Sequence, residues 1–325
     1  MQNVIDIKEN YLLQKYPGAL EILLHDRTTG GNIYWATDSY DEKGEGYSFF
    51  DEITIDKITG ENGEIIKPRA SKSKEEQYLR AKDKAEVFTP SWICNKQNNQ
   101  IDEVLFDGKS PFNEEVDMSD NTHTWNVIKE KIPFPTKSGY TWNKYVIADK
   151  LEITCGEAPY LVSRYDTTTG DYIEVPMRIG ILDRKLRVVS ENTPDKPTKN
   201  NIKNWRRWAI KALQSSYGFE WQGDNLLIAR ESIFFSFLEH YQYKWGRLPN
   251  ISATIKIAEI ISWNIWQMDG LTCGLPGYKT VEQLNTIQFP ETICPKERLC
   301  RIMEWEKGIE PLTGKEIIFK SLKNK

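Results

Sequence analysis

A turn of small residues, Cys155-Gly156, interrupts an apolar stretch that runs from Leu151 to Leu161. The segment before it (145–149) is partly strand-like, and the segment after it (162–165) is compatible with a helix start. In α/β nucleotide-binding folds, a strand, a small-residue turn and a helix start place a ligand on the unpaired N–H groups of the helix. The pattern favours a ligand site at this turn, although an ordinary strand-to-helix connection uses the same residues.

A Thr-Pro segment lies upstream of this turn. Phe88-Thr89-Pro90 fixes an extended conformation, and Thr89 or Ser91 can cap the helix that Trp92 begins. A structural cap explains these residues fully. A second role at a ligand site therefore needs support from other parts of the chain.

Two acidic residues stand where predicted strands end. Glu220 follows Tyr217-Gly-Phe and precedes a long predicted helix over 225–241, and Asp269 ends the segment 262–269. A carboxylate at a strand end accepts hydrogen bonds from ligand hydroxyls and amines. The alternative for both acids is a local cap on a helix or turn.

Composition and charge narrow the class of protein. The 325 residues, 39% of them hydrophobic, suffice for one large or two ordinary domains with a proper core. A net charge of −4 excludes a uniformly basic nucleic-acid coat but leaves a local basic cleft open. No leader precedes Tyr11, no apolar run approaches the ~20 residues of a membrane span, and the cysteines are scattered. We expect a cytoplasmic protein that does not enter a membrane.

The five cysteines do not predict a metal site. They show no Cys-x-x-Cys spacing, which fits free thiols in a reducing compartment. A zinc site from Cys273, Cys294 and Cys300 lacks an evident fourth ligand.

Residues 1–84 are predicted to form an α+β amino-terminal region. Segments 19–37 and 52–66 each contain two apolar runs around a turn, which predicts two hairpins. Seven basic residues lie between 67 and 84, as in a solvated helix or a phosphate-contacting face. A nuclease built on the acids in this region (Asp51, Glu52 and Glu64) is disfavoured because the Asp…Glu-x-Lys spacing is absent.

Taken together, four stretches resemble a known family. In chain order they are Phe-Thr-Pro (88–90), Leu-Glu-Ile-Thr-Cys-Gly-Glu-Ala-Pro-Tyr-Leu (151–161), Gly-Phe-Glu (218–220) and Asn-Ile-Trp-Gln-Met-Asp (264–269). They resemble the cofactor half of the amino-methylating DNA adenine methyltransferases of restriction-modification systems. The resemblance implies a Rossmann-like S-adenosylmethionine methyltransferase sheet, an α/β fold, over 85–280. It further implies an insertion at about 165–216 and a carboxy-terminal extension over 281–325.

The resemblance also assigns roles in binding S-adenosylmethionine. Glu220 would accept from the ribose hydroxyls and Asp269 from the adenine amine. The other residues would hold the methionine part or shape the pocket. The implied cofactor-binding set is Phe88, Thr89, Pro90, Glu152, Cys155, Gly156, Glu220 and Asp269.

The acceptor motif of the family is absent. The family transfers methyl through an Asn/Asp-Pro-Pro-Tyr/Phe tetrapeptide, whose polar groups bind the target amine and whose ring stacks on the flipped base. No such tetrapeptide lies between Gly270 and Lys325. Leu275-Pro-Gly-Tyr278 offers only the ring, and Glu157-Ala-Pro-Tyr160 occupies the cofactor turn, where Ala158 replaces the usual glycine. Catalytic residues are therefore unassigned.

Two hypotheses follow. The first is an S-adenosylmethionine-dependent DNA adenine methyltransferase, or the modification subunit of a restriction system. The second is a catalytically inactive relative that binds DNA or a partner protein. DNA contacts would come from the amino-terminal region, a partner subunit of the restriction system, or basic residues of the insertion and the next helix. The predicted phosphate contacts are Arg184, Lys185, Arg187 and Arg206.

Overall fold

The computed structural model describes residues 9–84, 86–119, 122–135, 139–276, 298–306 and 313–322. The helices are α1 (Glu9–Lys15), α2 (Ala19–Leu24), α3 (Ile55–Ile58), α4 (Lys74–Lys84), α5 (Ser91–Glu103), α6 (Trp142–Val146), α7 (Ile181–Glu191), α8 (Lys199–Gln214), α9 (Gly223–Trp245) and α10 (Ile251–Asn264). The strands are β1 (Asn113–Asp117), β2 (His123–Val127), β3 (Lys150–Glu152), β4 (Ser216–Glu220), β5 (Ile265–Gln267), β6 (Arg301–Trp305) and β7 (Gly314–Ile318). Across the described ranges, no helix combines the length and apolar character needed to cross a membrane.

A small parallel sheet lies at the centre of the fold. Its strand order is β3–β4–β5, with Glu152 opposite Gly218 and Glu220 opposite Gln267. Helices α7 and α8 connect β3 to β4, and α9 and α10 connect β4 to β5, because parallel neighbours need crossover connections. The predicted mixed α/β class is confirmed. The Rossmann-like methyltransferase sheet stays a prediction.

Apolar side chains cover both faces of the sheet. Helix α9 is buried along nearly its whole length, polar residues such as Asp224 and Arg230 included, and it packs in the main core with α10. On the other face, Phe219 and Trp266 pack with Phe319, which follows β7. The strand ends are thus held rigidly from both sides, which positions the residues that follow them.

The amino-terminal region shares this core. Helix α2 packs against α9 and α10, and Leu20, Leu23 and Trp35 are fully buried in the same cluster. The first N–H of α9, from Gly223, donates to Trp35 O at 2.9 Å, and a Cβ at Gly223 would lie 1.9 Å from Tyr34 O. Residues 9–66 are therefore packed against the sheet region.

Several local predictions were wrong. Residues 19–24 and 55–58 are helical, and only isolated bridges, His25–Asn32 and Tyr34–Glu52, stand where two hairpins were predicted. Their apolar side chains are buried against helices, so tertiary packing overrides the strand-like composition. Residues 142–146 form α6, and the helix predicted at 162–165 begins instead at Ile181.

Candidate functional site

The turn after β3 has an unusual backbone. Thr154, Gly156 and Ala158 have φ values of 46°, 53° and 61°, so every second residue is left-handed. Side chains disfavour this conformation by about 1–2 kcal/mol, and a β-branched threonine is among the worst suited. Ala158 thus adopts the glycine-like conformation expected at this position, and the N–H of Cys155 anchors the turn on Phe219 O at 2.8 Å.

Glu152 holds the far side of this turn. Its carboxyl group is buried and accepts from the N–H groups of Tyr160 (3.3 Å) and Leu161 (3.0 Å). Burial raises the pKa of Glu152 to about 8; the two N–H donors oppose this rise and the charge of Glu220 adds to it. The turn after β3 is therefore hydrogen-bonded to a carboxyl that is mostly protonated at neutral pH.

Glu220 joins the turn to the start of α9. Its Oε2 accepts from the N–H of Gly156 at 2.8 Å, and its Oε1 accepts from the N–H groups of Trp221 (2.8 Å) and Gln222 (3.2 Å). Burial raises the pKa of Glu220 as well. A carboxylate has about four acceptor positions. One acceptor position of Glu220 thus remains for a ligand donor.

Asp269 lies on the adjoining loop. The N–H of Met268 donates to Glu220 O at 3.0 Å, which places Asp269 beside the end of β4. Its half-exposed carboxylate accepts from Leu271 N–H and from the Thr272 hydroxyl, both at 2.8 Å. Gly156, Glu220 and Asp269 therefore meet at the carboxyl edge of the sheet, although each acid also closes a local turn.

Phe88-Thr89-Pro90 lies against the same turn. A Cβ at Gly156 would sit 3.5 Å from the Phe88 ring, and the Thr89 side chain is within hydrogen-bonding reach of the Tyr160 hydroxyl. The predicted side-chain cap from Thr89 or Ser91 was wrong. Pro90 occupies the N-cap position of α5, and Asp166 accepts from Ser91 N–H at 2.7 Å. Thr89 thus does not cap α5, and its side chain contacts Tyr160, which follows the turn after β3.

Cys155 has a packing role in this arrangement. Its side chain is buried, and burial raises its pKa well above the usual value, so it is not an activated thiolate. Gly218 makes room for it, because a Cβ there would lie 3.3 Å from Cys155 Sγ. Among the described residues, no group of three or more His, Cys, Asp or Glu side chains is arranged for a metal. Cys294 and Tyr278, which the sequence singled out, lie outside those residues.

Two of the predicted DNA contacts lie inside the protein. Arg184 is buried and donates to Asp102 at 2.6 Å, with further bonds to Asn95 and Asn99. Lys185 is buried and donates to carbonyl groups, including Ser215 O at 2.9 Å. Helix α7 is packed on several sides, so the basic run at this point is not a surface patch. Neither cation can reach a phosphate without disrupting the core.

The other two predicted DNA contacts are more accessible. Arg187 is half-buried and pairs with Glu191 at 2.7 Å, while its remaining N–H groups donate to the carbonyls of Phe112 and Ile128. Arg206 is exposed on α8. It stays a candidate phosphate contact.

A cavity of about 1030 Å³ lies away from the sheet edge, against α7 and α9. Arg178, Asp183 and His240 line it. Asp183 accepts from His240 Nε2 (3.0 Å), the Ser236 hydroxyl (2.6 Å) and the Ser163 N–H (2.8 Å). A carboxylate with this many donors is a structural anchor.

Three polar residues near this edge were not singled out by the sequence analysis. Gln267 ends β5 and exchanges two hydrogen bonds with the Tyr34 backbone, both at 2.8 Å. Arg69 and Lys72, from the amino-terminal region, interact with Glu157 in the turn after β3. The available signal for Gln267 was a polar residue within the apolar run 265–268. The basic run 67–84 was recognised in the sequence, but the sequence does not show which of its members are buried.

No family model, curated protein or solved structure matches this chain. Functional assignment therefore depends on the geometry of this edge.

Proposed function

We propose that this chain binds S-adenosylmethionine at the carboxyl edge of β3, β4 and β5, as a DNA adenine methyltransferase or the modification subunit of a restriction system. The observation that carries the proposal is the 2.8 Å bond from Gly156 N–H to Glu220, with Asp269 opening the loop of the next strand. In open α/β sheets, ligands bind outside the carboxyl ends of parallel strands.

The residues at this edge fit the chemistry of that cofactor. Glu220 retains an acceptor position for a ribose hydroxyl, and Asp269 retains two for the adenine amine, since each carboxylate has about four. The cofactor carries an electrophilic methyl group on a positively charged sulfonium. The Asp269 carboxylate, which is half-exposed at the same edge, would place a negative charge near that sulfonium.

The second hypothesis, a non-catalytic relative, has its own support. The Asn/Asp-Pro-Pro-Tyr/Phe tetrapeptide is missing from residues 270–325. Under this alternative the chain keeps the cofactor pocket and binds DNA or a partner subunit. The partner subunit would then supply the groups that bind the target amine. Cofactor binding is common to both hypotheses, so it is the first property to test.

Isothermal titration calorimetry with S-adenosylmethionine tests the pocket. We expect Glu220→Gln and Asp269→Asn each to weaken binding about tenfold or more, because each removes a charged acceptor. Glu114→Gln, an exposed acid on β1, is the matched control and should bind like the wild type. Thermal melts of each variant exclude loss of folding. Wild-type protein that binds no cofactor would refute the proposal.

Transfer of tritiated methyl groups to DNA of mixed sequence then separates the two hypotheses. Incorporation by the chain alone supports the enzyme. Cofactor binding without incorporation supports the non-catalytic relative.

A further inference from the structure

Arg69 lies on the cofactor turn. Its guanidinium carbon is 5.3 Å from the centre of the Phe88 ring, which itself packs beside Gly156. The backbone N–H of Arg69 donates to Glu157 Oε1 at 2.6 Å, and Tyr165 donates to the other carboxyl oxygen at 2.7 Å. Glu157 is thus occupied by a backbone group and a phenol. The Arg69 side chain is left facing the turn.

Lys72 is a buried cation with an incomplete partner. Its side chain is 6% exposed, and its Nζ is 3.8 Å from Asp224 Oδ2, beyond hydrogen-bonding distance. That oxygen already accepts from the Tyr40 hydroxyl at 2.8 Å and forms an ion pair with Arg80, also at 2.8 Å. Asp224 therefore pairs mainly with Arg80, and Lys72 Nζ forms no hydrogen bond to it.

Two donors of this pair are unsatisfied. Within the described part of the chain, Lys72 Nζ and Arg69 Nε are buried and have no hydrogen-bond partner. Buried polar groups are nearly always satisfied, because an unmade bond costs about 1–3 kcal/mol and more for a charged group. Lys72 interacts electrostatically with Glu157, the turn residue that accepts from Arg69 N–H, so both donors lie near this turn. Such a pair of donors is suited to an anionic ligand.

We propose that Arg69 and Lys72 bind the carboxylate of the amino-acid head of S-adenosylmethionine. This inference depends on the proposed function and adds the recognition of one end of the cofactor. A carboxylate accepts from the planar guanidinium of an arginine and from the rotatable ammonium donors of a lysine. Glu220 would hold the ribose at one end of the turn, so the methionine chain would extend past Gly156 and Phe88 toward these cations.

A pair of neutral nucleosides tests this assignment. S-adenosylhomocysteine carries the amino-acid head, and 5′-methylthioadenosine has the same nucleoside and thioether without it. We expect Lys72→Met and Arg69→Gln each to weaken the binding of S-adenosylhomocysteine about tenfold or more. Their affinity for 5′-methylthioadenosine should change by less than about twofold. Lys74→Met, an exposed lysine that begins α4, is the control and should leave both affinities unchanged.

Each other outcome overturns the assignment. An equal loss for both nucleosides means that the cations only support the fold. Unchanged affinity for both, with weaker binding of a DNA duplex, means that they contact phosphate. If the wild type binds neither nucleoside, the proposed function fails and this inference fails with it. If the wild type binds both and the variants do not distinguish them, only the inference fails. Thermal melts identify any variant that is unfolded, and the second variant then decides.

Discussion

The buried carboxyl of Glu152, which binds the turn after β3, makes the stability of the protein depend on pH. Its pKa is about 8 in the folded protein against an ordinary 4.5, because burial disfavours the charged form. The folded state therefore holds this proton more tightly than the unfolded state. Stability from this group is complete below the ordinary pKa and is lost as the pH rises toward 8.

The size of the effect follows from the shift. One pKa unit corresponds to about 1.36 kcal/mol. Because Glu152 stays protonated in the folded protein while it is ionised in the unfolded chain, the free energy of unfolding is lower by about 3 kcal/mol at pH 7 and by under about 1 kcal/mol at pH 5. Glu152→Gln removes this titration but offers one acceptor to two N–H donors, which costs about 1 kcal/mol at every pH.

We therefore expect a change of sign with pH. The variant should be slightly less stable than the wild type at pH 5 and about 2 kcal/mol more stable at pH 7. Urea unfolding followed by circular dichroism, at half-unit steps from pH 5 to pH 8, measures the difference. Glu114→Gln controls for the removal of one negative charge. A difference between Glu152→Gln and the wild type that stays constant with pH would refute the reasoning.

Three further predictions concern the scaffold, and denaturant unfolding checks each of them. Gly223→Ala should lower the free energy of unfolding by about 3 kcal/mol or more, because the new Cβ would lie 1.9 Å from a backbone oxygen. Gly31→Ala should have a mild effect, because its Cβ would contact only the flexible Glu52 side chain. Thr154→Gly should stabilise by about 0.5–1 kcal/mol by relieving a left-handed threonine; a loss of stability would mean that the turn is not strained. Arg184→Leu should cost about 3–5 kcal/mol by leaving a buried carboxylate unpaired, and the exposed Arg206→Ala under about 0.5 kcal/mol. Equal effects of the last two would contradict the buried placement of Arg184.

The sequence was informative where the signal was local. The acid-ended strand at 216–220 and the long helix that follows it were predicted because a short apolar run and a sustained apolar helix each leave a clear pattern. The family resemblance assigned Gly156, Glu220 and Asp269 to one site, and the structure brings them to one edge because β3, β4 and β5 are parallel.

The remaining features depend on residues far apart in the chain. The N–H of Ser91 is capped by Asp166, 75 residues away, and Arg184 pairs with Asp102, 82 residues away. Sequence patterns over a few residues therefore predict an uncapped helix at Ser91 and a surface charge at Arg184. For the same reason the burial of Lys72 was not predicted, because Lys72 lies beside Asp224 of α9, far along the chain.

The shared core of α2 and α9 has a consequence for synthesis on the ribosome. Arg230 in α9 donates to His25 O across 205 residues, and Leu20 and Leu23 of α2 are fully buried in that core. At about 5–20 residues per second, α2 emerges roughly 10–40 s before the helix that covers it. During that interval its apolar side chains are open to solvent and to other nascent chains. We expect the newborn amino-terminal region to need a holding chaperone until α9 is made.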